Sequence, residues 1–165
     1  RGAHIYAEIT GFGSTFVGGK KHPEDVRVRR VEKAMHDALD NTEVKKEDID
    51  FISANANGCK MQDAVEAKAI QSYFGTGSSQ IPVSAIKSNV GESYGASGAA
   101  QIISTVMSIN TGLIPHIINH KEKDPEIGLN LILEKPLKKE IQNAIINTMD
   151  YDGNNSCLVI SRFGK

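Results

Sequence analysis

Glu92 stands in the run Lys87-Ser-Asn-Val-Gly-Glu-Ser-Tyr-Gly-Ala-Ser-Gly98, a carboxylate in a glycine-rich turn just ahead of a helix-forming stretch. Gly91, Gly95, Ala96, Gly98 and Ala99 are all small, so another backbone or a ligand can come close there. The helix expected from about Gly95 to Asn110 aims its free N–H groups and positive dipole end at this turn. A carboxylate so placed reads either as an active-site acid or as a capping and ion-pairing group. Lys87 can pair with Glu92 or Glu66, and a structural ion pair is the expectation ahead of a catalytic lysine. Cys59 offers a nucleophile in the loop Asn55 to Gln62, but no histidine lies near it in sequence, so an inert thiol is expected. His116 and His120 are four apart in a Pro-containing extended segment, where that spacing does not put them on one face, and no metal site is expected.

These residues need elements to position them. Ile5 to Gly13 alternates and is rich in β-formers, which predicts a strand ending at glycines. Ser14 to Asp25, with Gly18, Gly19 and Pro23, reads as loop. From Pro23 to Leu39, the positions Val28, Val31, Met35, Ala38 and Leu39 recur at helical spacing, with Glu24 and Asp25 in the first turn. Ile49 to Ala54 predicts a short buried strand, and Asp63 to Phe74 a helix with Asp63 as N-cap and Glu66 completing a capping box. Ile81 to Ile86 predicts the strand that leads into the Glu92 turn. Ile114 to Ile118, Leu129 to Leu133, Ala144 to Thr148 and Cys157 to Ser161 read as strands or extended segments, and 119–128 as a polar surface loop. Strand–helix alternation followed by paired strands predicts a layered α/β fold with a mixed sheet.

A chain of 165 residues is long enough for one domain with a real core, and no interior boundary is evident, so residues 1–165 are treated as one unit. A net charge of −1 with no block of like charge gives no reason to expect nucleic acid or a membrane surface as partner. The stretch of Arg27, Arg29, Arg30 and Lys33 is interrupted by Glu32 and reads as a solvated helix face before a carrier-protein docking face. No apolar run is long enough to span a bilayer and nothing reads as a signal peptide. Cys59 and Cys157 lack disulfide-framework or zinc spacing, which suggests a reducing cytoplasm. Because it starts at Arg1, the chain is expected to be a piece of a longer protein.

Several runs in one order carry a resemblance: Ser53-Ala-Asn-Ala-Asn-Gly-Cys59, Asp63-x-x-Glu66-Ala, Val83-Ser-Ala-Ile-Lys-Ser-Asn-Val-Gly-Glu92, Gly95-Ala-Ser-Gly-Ala99 and Ile114-Pro115. From about Gly2 to Phe163 the chain resembles the C-terminal half of a β-ketoacyl-acyl carrier protein synthase of the ketosynthase II type, in the thiolase-like superfamily. Asp150 to Val159 matches that family's closing glycine-rich loop and last strand in part. The resemblance implies half of a pseudo-symmetric α/β pair, with a buried helix begun by glycines and with the nucleophilic cysteine in the other half. It implies no resident cofactor, the phosphopantetheine of an acyl carrier protein as substrate arm, and a ketosynthase subunit as partner in a homo- or heterodimer.

By the resemblance, two histidines donate hydrogen bonds to the thioester carbonyl as malonyl loses carbon dioxide. Their places are taken here by Asn55 and Glu92. An asparagine amide can still donate, whereas an ionised glutamate only accepts and opposes a growing oxyanion. Asn57 and Cys59 replace threonines that hold the pantetheine arm. Asp152, Gly153 and Asn154 lie in the loop that gates the acyl pocket, and Gln101 replaces a glutamate on the long helix. Lys87, Asp63, Glu66, Gly91, Gly95 and Gly98 are kept. The expectation is a non-catalytic subunit resembling a chain-length factor; the alternative is an acyltransferase with a Cys–Asn–Glu constellation.

Overall fold

The computed structural model describes residues 2–18 and 22–164; Gly19, within the predicted loop, lies outside them. The elements in chain order are β1 (Glu8–Phe16), α1 (Glu24–Asp40), β2 (Phe51–Ser53), α2 (Lys60–Phe74), β3 (Pro82–Ser84), α3 (Lys87–Val90), α4 (Ser97–Thr111), β4 (Leu113–Ile114), β5 (Asn130–Leu131), β6 (Leu137–Lys138), β7 (Asn143–Met149) and β8 (Asn154–Ser161). The main sheet runs β1-β8-β7-β2-β3-β5, and β4 pairs with β6 in a small second sheet. The β7-β2-β3-β5 part is parallel, while β1, β8 and β7 are antiparallel, so the sheet is mixed as predicted.

Alternation along the central strands feeds two cores. On one face Ile52, Val83, Ile145, Cys157 and Val159 pack with Val31, Met35 and Ala38 of α1 and with Val65, Ala69 and Ile70 of α2. On the other face Phe51, Ala144, Ile146 and Ile160 pack with Ile109 of α4 and with Ile114, Ile132 and Ile141. Cys157 is fully buried, and desolvation pushes its thiol pKa up, so it is an inert core residue.

Boundaries shift where pairing partners differ from local pattern. The first strand begins at Glu8, not Ile5, because its ladder with β8 starts at Glu8 opposite Ser161. It continues through Ser14, Thr15 and Phe16, predicted as loop, because these pair with Ser156, Asn155 and Asn154. The predicted capping box at α2 is absent. The helix starts at Lys60, so the Asp63 N–H already donates to the Cys59 carbonyl, and Glu66 is engaged elsewhere. The long helix starts at Ser97, with Gly95 in a short 3-10 turn before it.

That long helix is also not buried all round. Ser97, Gln101, Thr105, Ser108 and Ile109 face inward, while Ile103 and Met107 point to solvent at 65% and 52% exposure. Phe12 and Phe16 on β1 are likewise exposed, and Phe12 sits opposite Leu158, which packs with the α4-side core. The inward positions on either side of Phe12 are glycines for a reason. A Cβ on Gly11 would lie 2.1 Å from the Ala38 carbonyl oxygen, and one on Gly13 would lie 2.1 Å from the Ala34 oxygen. Helix α1 therefore rests directly on the backbone of β1.

Gly13→Ala should force α1 off the sheet and cost about 3 kcal/mol in urea denaturation, the upper end for overpacking. Gly77→Ala, with nothing within 4 Å of the added carbon, should change stability little. Equal effects from the two would refute the close-approach account.

Candidate functional site

The parallel strands β2 and β3 stop side by side, and the loops leaving their C-terminal ends bring Asn55 and Lys87 together. Three-residue buried strands of Phe51-Ile-Ser53 and Pro82-Val-Ser84 fix where each loop begins. After β2, Ala56 and Gly58 take positive φ of 26° and 84°, which turns the chain sharply into α2. This turn is held from inside: Glu66, on the second turn of α2, accepts the N–H of Asn55 at 2.8 Å and of Ala56 at 2.9 Å.

Lys87 opens α3, and its side chain is only 4% exposed. Its Nζ donates to Asn55 Oδ1 at 2.6 Å and lies 3.0 Å from Glu92 Oε2. The Met149 N–H also donates to Asn55 Oδ1, at 3.0 Å, while Asn55 Nδ2 is buried with no acceptor among the described residues. Glu92 Oε1 accepts the Tyr94 N–H at 2.8 Å and the Ser97 hydroxyl. Gln101, fully buried, donates through Nε2 to the carbonyls of Ala54 and Asn147, both at 3.0 Å. It thereby ties α4 to the end of β2 and to β7.

A neighbouring set of bonds organises the loop before α2. Asn57 Oδ1 accepts the Cys59 N–H at 2.9 Å, and Asn57 Nδ2 donates to Gln62, which in turn donates to the Asp150 carbonyl at 2.8 Å. Asp150 accepts the N–H groups of Asp152, Gly153 and Asn154 at 2.9, 2.7 and 2.8 Å. Gly153 has φ +100°, and a Cβ there would fall 2.0 Å from the Val17 carbonyl oxygen. A cavity of about 450 Å³ opens beside Lys87 and Asn57; Asp63, Glu66, Ser88, Glu92, Asn119 and His120 are the other polar residues of its lining.

The carboxylates of this region behave differently. Desolvation opposes the charged form of Glu92, but hydrogen bonds from Ser97 and Lys87, the Lys87 charge and the Tyr94 N–H outweigh it and hold its pKa below the ordinary value. Glu66 is fully buried, and desolvation pushes it up to about 7 despite its two backbone donors. Asp63 is also raised by desolvation, over the lowering effects of the Gly58 and Asn57 N–H groups and Lys87. At neutral pH Glu92 is thus a charged, hydrogen-bond-accepting group.

With this geometry in view, residues 6–121 match the family described as beta-ketoacyl synthase, C-terminal domain. The chain belongs to that family. This ketosynthase C-terminal domain is 32% identical over 168 residues to 3-oxoacyl-[acyl-carrier-protein] synthase 2 of Staphylococcus aureus (strain COL), covering 99% of the chain and 39% of the relative. It is 30% identical over 162 residues to nodulation protein E of Rhizobium meliloti, covering 98% of the chain and 40% of that protein. The ishigamide ketosynthase/chain length factor superposes with a TM-score of 0.88 at 32% identity, over 99% of the chain and 40% of its own. A type II PKS ketosynthase bound to the hexaketide, in complex with its acyl-carrier protein, gives a TM-score of 0.91 at 25% identity over 99% and 40%. The ketosynthase domain described here spans about two-fifths of the length of these relatives.

Of the residues singled out in the sequence, Asn55, Lys87 and Glu92 form one bonded cluster. Lys87 pairs with Glu92 and not with Glu66. Asn57 and Cys59 sit on the adjoining loop, Cys59 half-buried and unpaired. Asp152 and Gly153 belong to a separate turn, joined to that loop through Gln62; Asp152 is exposed and engages Asp150 through its N–H. Sequence reading missed Ser97, Gln62 and Asp150. Asp150 had a visible signal, an acidic residue ahead of Asp-Gly-Asn, whereas Ser97 and Gln62 become meaningful only through contacts distant in the chain.

Replacing Lys87 by Met should cost about 3 kcal/mol in urea denaturation, because it strands Glu92 beside a buried amide. Lys33→Met, which breaks an exposed pair with Asp37, should cost under about 1 kcal/mol. The Glu66 pKa of about 7 lies above its ordinary 4.5, so the folded protein keeps a proton that the unfolded chain releases between those values. Stability should therefore rise as pH falls from about 7.5 to about 4.5, by at most about 3 kcal/mol in total. Glu92 and Asp150, both held below their ordinary values, lose their contribution only at more acid pH. Glu66→Gln should flatten the slope; an unchanged slope would show that another group titrates.

Proposed function

We propose that this chain is the C-terminal domain of a ketosynthase-family protein of fatty acid or polyketide synthesis that serves as a non-catalytic, chain-length-factor-like subunit. The observation that carries this reading is the state of Glu92. By family resemblance its position, and that of Asn55, would hold the histidines that donate to the thioester oxygen. Glu92 is instead a carboxylate with its charge stabilised by Lys87 and its Oε1 already accepting from Tyr94 and Ser97. A group of that charge destabilises the oxyanion that decarboxylation must build, and loss of one donor alone typically costs about a hundred- to a thousand-fold in rate.

On this reading an acyl carrier protein presents its phosphopantetheine arm along Asn57, Cys59, Asp152 and Gly153, and an active ketosynthase subunit supplies the chemistry. The similarity to the ishigamide ketosynthase/chain length factor and to a type II PKS ketosynthase in complex with its acyl-carrier protein supports both partners. A cytoplasmic site suits the two unpaired cysteines, and no described helix is long and apolar enough to cross a membrane. One observation favours the second reading, an acyltransferase with a Cys–Asn–Glu constellation: Asn55 Nδ2 is an uncommitted buried donor.

The two readings separate when the intact protein is given malonyl-carrier protein, with and without a ketosynthase partner, and carbon dioxide release is followed. The expected result is no release by the protein alone and release with the partner. Robust release by the protein alone, abolished by Glu92→Ala, would overturn the non-catalytic reading.

A further inference from the structure

One carboxylate closes the turn between β7 and β8. Asp150 Oδ1 accepts the N–H groups of Asp152, Gly153 and Asn154, and its Oδ2 accepts the Asn154 side-chain amide at 2.6 Å. Its own N–H donates to the Asn154 carbonyl at 3.0 Å. The far side of the turn is held too, since the Gly153 carbonyl accepts the Val17 N–H at 2.9 Å and the Asn155 amide at 3.2 Å. Desolvation opposes the Asp150 charge, but the Asn154 amide and the three N–H groups outweigh it and keep its pKa below the ordinary value. Bonds to a charged acceptor are stronger than neutral ones, so this side chain decides the shape of the turn.

The same residue also faces a second loop. Its backbone carbonyl accepts Gln62 Nε2 at 2.8 Å, across 88 residues of sequence. Gln62 is buried, its Oε1 accepts Asn57 Nδ2, and Asn57 Oδ1 accepts the Cys59 N–H at 2.9 Å. Three bonds thus run from the Cys59 loop to the Asp150 turn. The Asp150 side chain fixes the peptides that follow it, and with them the direction of the carbonyl that Gln62 uses. Were that carbonyl to turn away, a buried amide would lose its acceptor, and Gln62 would reorient and release Asn57.

We propose that Asp150 is a positioning residue that sets the Cys59 loop through Gln62 and Asn57, so that the two loops hold one shape together and loosen together. It deepens the function proposed above, on whose reading Asn57 and Cys59 of one loop and Asp152 and Gly153 of the other line the path of the phosphopantetheine arm. The coupling itself does not depend on that reading.

The reaction of Cys59 with a thiol reagent in the intact protein, with amide hydrogen exchange at 152–154, tests the coupling without any carrier protein. Cys157 is fully buried and reports global unfolding in the same sample. Asp150→Ala should speed exchange at 152–154 and raise the Cys59 rate by about fivefold or more, the effect of one lost hydrogen bond, with Cys157 still slow. Asp150→Asn, which keeps an acceptor oxygen, should restore part of the protection at both places. Gln62→Leu should speed Cys59 to a similar extent, and adding Asp150→Ala to it should bring little further change, because both act through one path. Faster exchange at 152–154 with an unchanged Cys59 rate, multiplying effects of the two substitutions, or an equal rise at Cys157 would each overturn the proposal. Failure of the arm to bind at all would overturn only the function proposed above.

Discussion

A lysine whose side chain is 4% exposed must find its neutralising charge and its acceptors within the protein, and Lys87 does so by drawing Asn55 and Glu92 onto one ammonium. The rest of this end of the molecule follows from that demand. Asn55 must turn its carbonyl oxygen inward, which is possible because Glu66 fixes the backbone on either side of its peptide. Glu92 must reach back across the turn after α3, which Ser93, Tyr94 and Ser97 support with short polar contacts. The cost of burying Glu66, visible in its raised pKa, is what this anchoring requires.

The polar stripe of α4 extends the same organisation to the other side of the sheet. A helix that sends serine, glutamine and threonine inward cannot be held by apolar burial alone. Gln101 compensates by donating to two backbone carbonyls, Ala54 just past β2 and Asn147 within β7. Position 101 thus connects the loop of Asn55 with β7, so a change on α4 is felt at the site without touching it.

How much of this could be read from the chain depended on the range of the interaction. Helix α1 was legible because Val31, Met35 and Ala38 repeat at its own period, and the core strands because Ile145 and Ile146 divide between two faces. The pairing of Lys87 with Glu92 was legible because they are five residues apart. The end of β1 was not, since Ser14 to Phe16 are strand only by virtue of β8, nearly the whole chain away. The role of Glu66 was misread for a related reason. Its spacing from Asp63 suits a cap, but the loop it actually holds arrives from β2, and local pattern carries no trace of that. Family resemblance pointed to Asn55 and Glu92, but only the folded chain reveals that both converge on one cation.

The side of the sheet that bears α4 leaves Phe12, Phe16, Ile103 and Met107 open to water. In colloidal terms these residues set how crowded a solution of the chain can become before molecules begin to adhere, because exposed apolar side chains attract one another. Charge offers little resistance, since a net charge of −1 provides almost no mutual repulsion. Substitutions on that side will therefore be felt first as changes in solubility, well before they disturb the bonds around Lys87.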